Sequence, residues 1–271
     1  MQNSKAQLMK YFLYSGTGNT FALIEVSKAD QESKDFTDTA KELCEKHNVD
    51  GLLVMSTSDK AEIRMRIINR DGSEASMCGN GSRCAAHWAH HYAGLPGSFL
   101  MESGAGILKA DVKDQIVKIR LTQPSAISEI TQNLVPQGVG STLLIDTGVP
   151  HAVTEITGIA AADINTLGST VRNHPVFQPK GANATFFERG QNGIVCRVYE
   201  RGVEGETQSC GTGSAAAALI ASHKYKLLSP VKVRVQSGDD LSIYFETADY
   251  MTYENVDLEG AVALLSVEGE K

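Results

Sequence analysis

An excess of positive charge is missing from this chain. Lys and Arg number 25 against 32 Asp and Glu, a net charge of −7, which favours solubility and leaves no electrostatic footprint for nucleic acid. Long hydrophobic runs are missing too. No apolar stretch approaches the ~20 residues that span a bilayer, and the opening MQNSKAQLMK lacks the apolar stretch of a secretory signal, so a cytoplasmic address is expected, with no membrane partner. Cysteine is sparse: five residues, an odd count, which argues against a disulfide framework and leaves each thiol to be judged on its surroundings. What remains is ordinary globular usage, 42% hydrophobic and 21% charged over 271 residues. That length corresponds to about two domains or one large one, with small molecules as the expected partners.

Period-two patterning dominates. Glu62–Ile67, Gln115–Leu121, Ile194–Tyr199 and Val231–Gln236 read as half-buried strands. Helical spacing is found at Asp35–Lys46, Gly81–Tyr92, Ile159–Arg172 and Gly213–Leu227, the second closing on Gly94 with Pro96 beyond. Four helices among many strands are therefore expected. Thr122–Gly140, with Pro124, Pro136, Gly138 and Gly140, has little periodicity and marks the expected boundary, near Ser125, between two halves.

The chain repeats itself at one place. CGNGSRCAA at Cys78–Ala86 recurs as CGTGSAAAA at Cys210–Ala218, with six of nine positions identical, and Glu74 and Glu206 each stand four residues before their cysteine. Duplication of one structural unit explains this, with two similar halves facing each other.

A glycine-rich turn that opens a helix exposes peptide N–H groups with no partner inside the helix. With the helix dipole they form an anion site suited to a carboxylate. The same position lowers a thiol's pKa, so Cys78 and Cys210 are expected to lie closer to thiolate than free cysteine. Two such turns, one from each half, suit proton exchange at a stereocentre. One cysteine as thiolate would take the α-proton and the other as thiol would protonate the opposite face, with fixed donors stabilising the carbanion and no cofactor required.

Other readings attach to the remaining groups. Cys44, Cys84 and Cys196 are expected to be packing residues. Oxidation of Cys78 and Cys210 to a disulfide would make a thiol switch. Cys84, His87, His90 and His91 share one helix, but ligands spread over two turns splay too widely to close a tetrahedron around zinc, and Trp88 adds bulk, so packing or surface roles are expected. GTGSAA from Gly211 imitates a dinucleotide fingerprint without the acidic residue about twenty positions on. Signatures of nucleotide-binding P-loops, serine hydrolases and pyridoxal sites are missing.

On these residues the sequence resembles the diaminopimelate epimerase family, over nearly its whole length. SGTGNTF at Ser15–Phe21, NRDGSEASMCGNGSRC at Asn69–Cys84, GVPHAV at Gly148–Val153, GANATFF at Gly181–Phe187 and YERGVEGETQSCGTGSAAA at Tyr199–Ala217 occur in the family's order. The resemblance implies an α/β (α+β) fold of two pseudo-symmetric domains, each a central helix wrapped by mostly antiparallel strands. The first would cover residues 1–124 plus a returning C-terminal strand in 261–271, and the second 125–260. It implies a homodimer that interconverts LL- and meso-diaminopimelate, a lysine and peptidoglycan precursor, without cofactor or metal. Cys78 and Cys210 would be the two acid/base thiols, with Gly79, Asn80, Gly211 and Thr212 giving backbone donors to the reacting carboxylate. Asn19, Asn69, Asn183 and Arg201 would hold the substrate's remote amino and carboxylate ends, since amides both donate and accept and Arg forks a carboxylate. His151 would assist a thiolate and Glu200 would accept from the substrate ammonium.

Two places depart from the family's pattern. Val149 precedes Pro150-His151 where many members carry Asn, removing an amide from the remote-end pocket. GVEGET at Gly202–Thr207 is one residue longer than usual, which is expected to re-aim the approach from Glu200 to Cys210. Both leave open a racemase of another amino acid, of glutamate or proline type, and a non-catalytic thiol switch or zinc-binding module is the third reading. The related proline racemases typically carry His where this chain has Asn80.

Overall fold

The computed structural model describes residues 10–132, 134, 135 and 138–269. Pro136, one of the expected boundary markers, and most of the opening MQNSKAQLMK lie outside the described residues. The chain divides into two compact units, one running up to Val117 and resuming at Val262, the other Lys118–Ala261.

The first unit starts with β1 (Tyr11–Gly16) and β2 (Asn19–Glu25), an antiparallel hairpin in which Gly16 pairs with Asn19. Thr17 and Gly18, the two residues between, have φ of 56° and 87°, the double positive φ of a type I′ turn. The helices α1 (Lys28–Ser33) and α2 (Thr37–His47) carry the chain over to β3 (Gly51–Ser56), parallel to β2. Then β4 (Ile63–Asn69) pairs antiparallel with β3 and with the two-residue β5 (Glu74–Ala75), which leads into α3 (Gly79–His91). The chain returns as β6 (Ser98–Ser103), parallel to β4, and β7 (Gly106–Lys113), antiparallel to β6.

β8 (Ile116–Arg120) carries the chain into the second unit, which repeats this plan. β9 (Ser128–Ile130), β10 (Thr142–Asp146) and β11 (Pro150–Glu155) are antiparallel neighbours. α4 (Ile164–Arg172) precedes β12 (Asn183–Gly190), parallel to β11. β13 (Gly193–Glu200) pairs antiparallel with β12 and with the short β14 (Gly205–Thr207), which leads into α5 (Gly211–Tyr225). β15 (Val231–Arg234) then runs parallel to β13, followed by antiparallel β16 (Asp240–Glu246) and β17 (Glu254–Ala261). The last strand, β18 (Ala263–Glu268), belongs to the first unit and lies antiparallel to β1.

Each unit is thus a helix wrapped by mostly antiparallel strands, and the order of strand pairings around α3 recurs around α5. Composition explains the burial. From Gly79 to Ala89 every residue of α3 is buried, and in α5 every residue from Gly211 to Ser222 except Thr212. A helix buried all round is mostly apolar or small, and runs such as Ala215–Ala218 let strands approach closely; the buried polar residues Asn80, Arg83 and His87 of α3 have hydrogen-bond partners. α3 lies against β1, β2, β3, β4 and β7, and α5 against β10 to β13 and β15 to β17.

Some expectations need correction. There are five α-helices among the described residues, α1 having escaped notice because six residues with one buried position, Gln31, leave no periodic signal. Ile159–Arg172 is not one helix. Ile159–Ala161 forms a separate 3₁₀ turn, and Asp163 restarts the chain by accepting the Thr166 N–H at 3.1 Å as N-cap of α4. α3 and α5 begin two residues earlier than their apolar spacing suggests, at Gly79 and Gly211, because glycines carry no hydrophobic signal.

A matched ion pair braces each short strand. Arg66 grips Glu74 at 2.9 and 2.8 Å, and Arg197 grips Glu206 at 2.6 and 2.7 Å. The third guanidinium nitrogen donates to carbonyls in both cases, Gln31 at 2.6 Å and Ile159 at 2.7 Å. The two pairs differ in exposure: the Arg197 and Glu206 side chains are 11% and 13% exposed, whereas Glu74 is 48% exposed. Removing one partner of a buried pair strands the other's charge, and exposed pairs contribute little. Arg197→Ala is therefore expected to cost about 3 kcal/mol of unfolding free energy and Arg66→Ala about 1 kcal/mol. Urea denaturation of the two variants would check this order.

Candidate active site

In the first unit Cys78 is the N-cap of α3. Its backbone is extended, φ −145° and ψ 115°, and its sulfur accepts the Gly81 N–H at 3.4 Å. The hairpin turn at Thr17 and Gly18 comes down on this helix start. Asn19 Oδ1 accepts from the Asn80 amide, Arg83 donates to Asn80 Oδ1 at 3.0 Å and to the Gly79 carbonyl at 3.2 Å, and a second donation from Arg83 reaches the Thr17 hydroxyl. A Cβ on Gly16 would stand 2.8 Å from the Asn80 carbonyl oxygen and 2.9 Å from the Cys84 sulfur, so only glycine allows this approach. Asn19, Asn80, Gly79 and Cys78 therefore share one neighbourhood. Asn69 is exposed at the end of β4 and donates to Ser73 Oγ at 3.0 Å.

Arg83 escaped the sequence reading, although it is wholly buried and ties the β1–β2 turn to the start of α3. A lone Arg inside a helix of small residues was the available signal, since a buried guanidinium needs oxygen partners at hand.

In the second unit Cys210 is the N-cap of α5, 5% exposed, with φ −125° and ψ 112°. Three strands bring polar groups to it. His151 on β11 pairs in register with Asn183 on β12, and Glu200 ends β13. His151 is wholly buried, with Nδ1 2.8 Å from Thr185 Oγ1 and Nε2 3.0 Å from Thr212 Oγ1; that hydroxyl is 3.5 Å from the Cys210 sulfur. Glu200 accepts from Thr207 Oγ1 at 2.6 Å and from the Cys210 thiol. Asn183 Oδ1 accepts the Arg201 N–H at 2.8 Å, and the exposed Arg201 side chain donates to the Lys180 carbonyl at 2.6 Å.

Burial governs the electrostatics. It pushes Glu200 above the usual carboxylate range, against the hydrogen bonds from Thr207 and Cys210. It lowers His151 to about 3, helped by the charge of Arg201, so the imidazole is neutral. Cys210 is a correction. Its pKa lies well above the ordinary thiol value, because burial and the neighbouring Glu200 charge outweigh the donations from Thr212 and the Gly213 N–H. The helix start alone had predicted the opposite sign. Cys44, Cys84 and Cys196 are buried in the core, the last two pushed up to about 12 by burial. His87 is buried against Tyr14 and stacks on His91. Among the described residues no group of three or more His, Cys, Asp or Glu side chains could hold a metal ion.

The longer turn after Glu200 closes on itself. Gly202 and Glu204 have φ of 90° and 53°, Glu204 Oε1 accepts from the Gly202 N–H at 3.1 Å and pairs with Arg172 at 3.2 Å, and Glu200 still pairs with Gly205 across β13 and β14. The added length is thus taken up away from the Glu200 carboxylate, which keeps its contact with Cys210. Val149, half-buried, follows Gly148 in a turn held by Asp146 Oδ1 accepting the Gly148 N–H at 2.8 Å.

A profile of the diaminopimelate epimerase family matches residues 11–126 and 143–256 of this chain. The chain belongs to the diaminopimelate epimerase family. Diaminopimelate epimerases from Aquifex aeolicus and from Campylobacter lari are each 35% identical to it, over 254 and 243 residues, in both cases 88% of this chain and 90% of the relative. Among solved structures, a phenazine biosynthesis protein of the PhzF family from Bacillus anthracis superimposes with a TM-score of 0.71 at 15% identity, covering 96% of this chain and 98% of the other. That likeness shows the fold alone. Among the described residues no helix is long and apolar enough to cross a membrane.

The sign of the Glu200 effect is testable. A carboxylate beside a thiol disfavours the thiolate, so Glu200→Gln is expected to move ionisation of Cys210 to lower pH. Alkylation by iodoacetamide as a function of pH, read by mass spectrometry on the Cys210 peptide, checks it. An unchanged or higher midpoint would contradict the assignment.

Proposed function

We propose that this protein is a cofactor-independent epimerase interconverting LL- and meso-diaminopimelate, with Cys78 and Cys210 as its two acid/base groups. One observation carries the reading: each of two buried helices starts Gly-x-Gly behind an N-cap cysteine, so in both units a sulfur stands at a helix N-terminus, the end whose first peptide N–H groups have no partner within the helix. In this reading the two units are the two halves of one enzyme, and both sulfurs act on opposite sides of the same carbon.

The substrate's reacting carboxylate takes the N–H groups of Gly79, Asn80, Gly211 and Thr212. These donors also hold the charge that develops when the α-proton leaves, and a preformed array needs no reorganisation at that moment. Asn19, Asn69, Asn183 and Arg201 hold the remote amino and carboxylate ends, and Glu200 and His151 serve the thiols. Cys210, held protonated by burial and Glu200, is poised as the acid while Cys78 takes the α-proton. In the reverse direction the Cys210 proton passes to Glu200, whose raised affinity for it makes it the acceptor within reach, and the resulting thiolate removes the α-proton. The resemblance further supports a cytoplasmic homodimer, which sedimentation of the purified protein would test.

Epimerisation of LL-diaminopimelate followed by chiral chromatography checks the reaction. Cys78→Ala and Cys210→Ala are each expected to lower kcat by about 10³-fold or more, since each removes the proton carrier for one face. Full activity in either variant would overturn the two-base scheme. Turnover of glutamate or proline in place of diaminopimelate would move the enzyme to the racemase reading, which Val149 leaves open.

A further inference from the structure

The hydroxyl of Thr212 lies between a neutral imidazole and a reacting sulfur, and hydrogen-bond accounting fixes which way its proton points. Thr185, wholly buried on β12, has one side-chain hydrogen-bond partner among the described residues, His151 Nδ1 at 2.8 Å. A buried O–H that fails to donate is costly, so Thr185 donates and Nδ1 accepts. The single proton of a neutral imidazole is then on Nε2, which faces Thr212 Oγ1 at 3.0 Å. Thr212 Oγ1 accepts that proton's hydrogen bond, and its own O–H turns to the remaining neighbour, the Cys210 sulfur at 3.5 Å.

We propose that the Thr212 side chain is a further catalytic residue, a fixed hydroxyl donor to Cys210 Sγ aimed by Thr185 through the Nε2–H tautomer of His151. The proposal rests on the epimerase reading and gives Thr212 a side-chain role in addition to its backbone N–H. The chain of donors runs one way, Thr185 O–H to Nδ1, Nε2–H to Thr212 Oγ1, Thr212 O–H to Sγ. It serves both states of the cysteine: a thiol accepts the donation on a sulfur lone pair while its own S–H goes to Glu200, and a thiolate accepts it more strongly. No proton need move along the chain. The other titratable groups acting on the sulfur are Glu200 from β13 and Cys196 from the same strand. Positions equivalent by strand order in the first unit hold no such chain. Phe21 pairs with Gly51 as His151 pairs with Asn183, and Leu53 stands where Thr185 does, so these positions offer no counterpart of the His151–Thr185 pair.

Thr212→Val removes the hydroxyl and keeps the peptide N–H and the shape. It is expected to lower kcat about tenfold or more with KM changed less than about threefold, and to raise the pH midpoint of Cys210 alkylation by about one unit. Thr212→Ser is expected to stay within about threefold of the parent enzyme. Thr185→Val acts through His151, so its effect goes in the same direction, and the double variant Thr185→Val/Thr212→Val is expected to be no worse than Thr212→Val alone. An unmoved alkylation midpoint in Thr212→Val, a Ser variant as slow as the Val variant, or losses that multiply in the double variant would overturn the proposal. Alkylation needs no substrate, so it reads the donor chain even if diaminopimelate is not turned over, which would count against the epimerase reading instead. Should Thr212→Val fail to fold, Thr212→Ser and Thr185→Val still decide it.

Discussion

The first peptide N–H groups of a helix have no partner within it, and in a buried helix they must be met by something that brings its own acceptor. That constraint organises both units. In each, a helix of small residues is sunk among strands, and its start is left to a cysteine N-cap followed by Gly-x-Gly. At Gly213 the glycine is a steric necessity. A Cβ on Gly213 would stand 2.7 Å from Val198 Cγ2 and 3.2 Å from His151 Cε1, so a larger residue would force the helix start away from the strands. In the proposed reaction the substrate carboxylate meets these helix starts, with a sulfur at each.

The duplicated plan is filled with different chemistry. In the first unit Phe21 pairs with Gly51, which pairs with Asn69 across β2, β3 and β4. The matching strands of the second unit bring His151 beside Asn183, with Glu200 at the end of β13 one step beyond the Ala184 to Tyr199 pair. Polar side chains with buried hydrogen-bond partners thus surround Cys210, while at the start of α3, next to Cys78, an amide and guanidinium network links Asn19, Asn80 and Arg83. Repetition supplied the scaffold, and substitution at equivalent positions made the two thiols unequal.

Much of this was legible in the residues. The repeat at Cys78 and Cys210, the alternation of the strands and the Ala-rich helices follow from patterns with a fixed physical period. The motifs carrying the family resemblance sit at the ends of strands and, for the two cysteine blocks, at helix starts. What escaped was set by tertiary contact. The sign of the Cys210 shift depends on burial that no local window reports, and then on Glu200, ten residues away in sequence. Arg83, Thr185 and Thr207 are ordinary polar residues until the fold closes oxygen and nitrogen partners around them. The split of Ile159–Arg172 turned on one Asp at position 163, whose preference for capping outweighed the apolar spacing on either side.

The central claim is that two distinct groups handle the proton, one on each side of the carbon. Initial-rate epimerisation of protiated LL-diaminopimelate in heavy water, with substrate and product separated and their isotopes counted, tests it most directly. The account predicts one solvent deuteron at the inverted Cα of the meso product and retained protium in the unreacted substrate. Internal return of protium to the product, or deuterium appearing in the LL substrate as fast as in the product, would mean that a single base serves both faces and would contradict it.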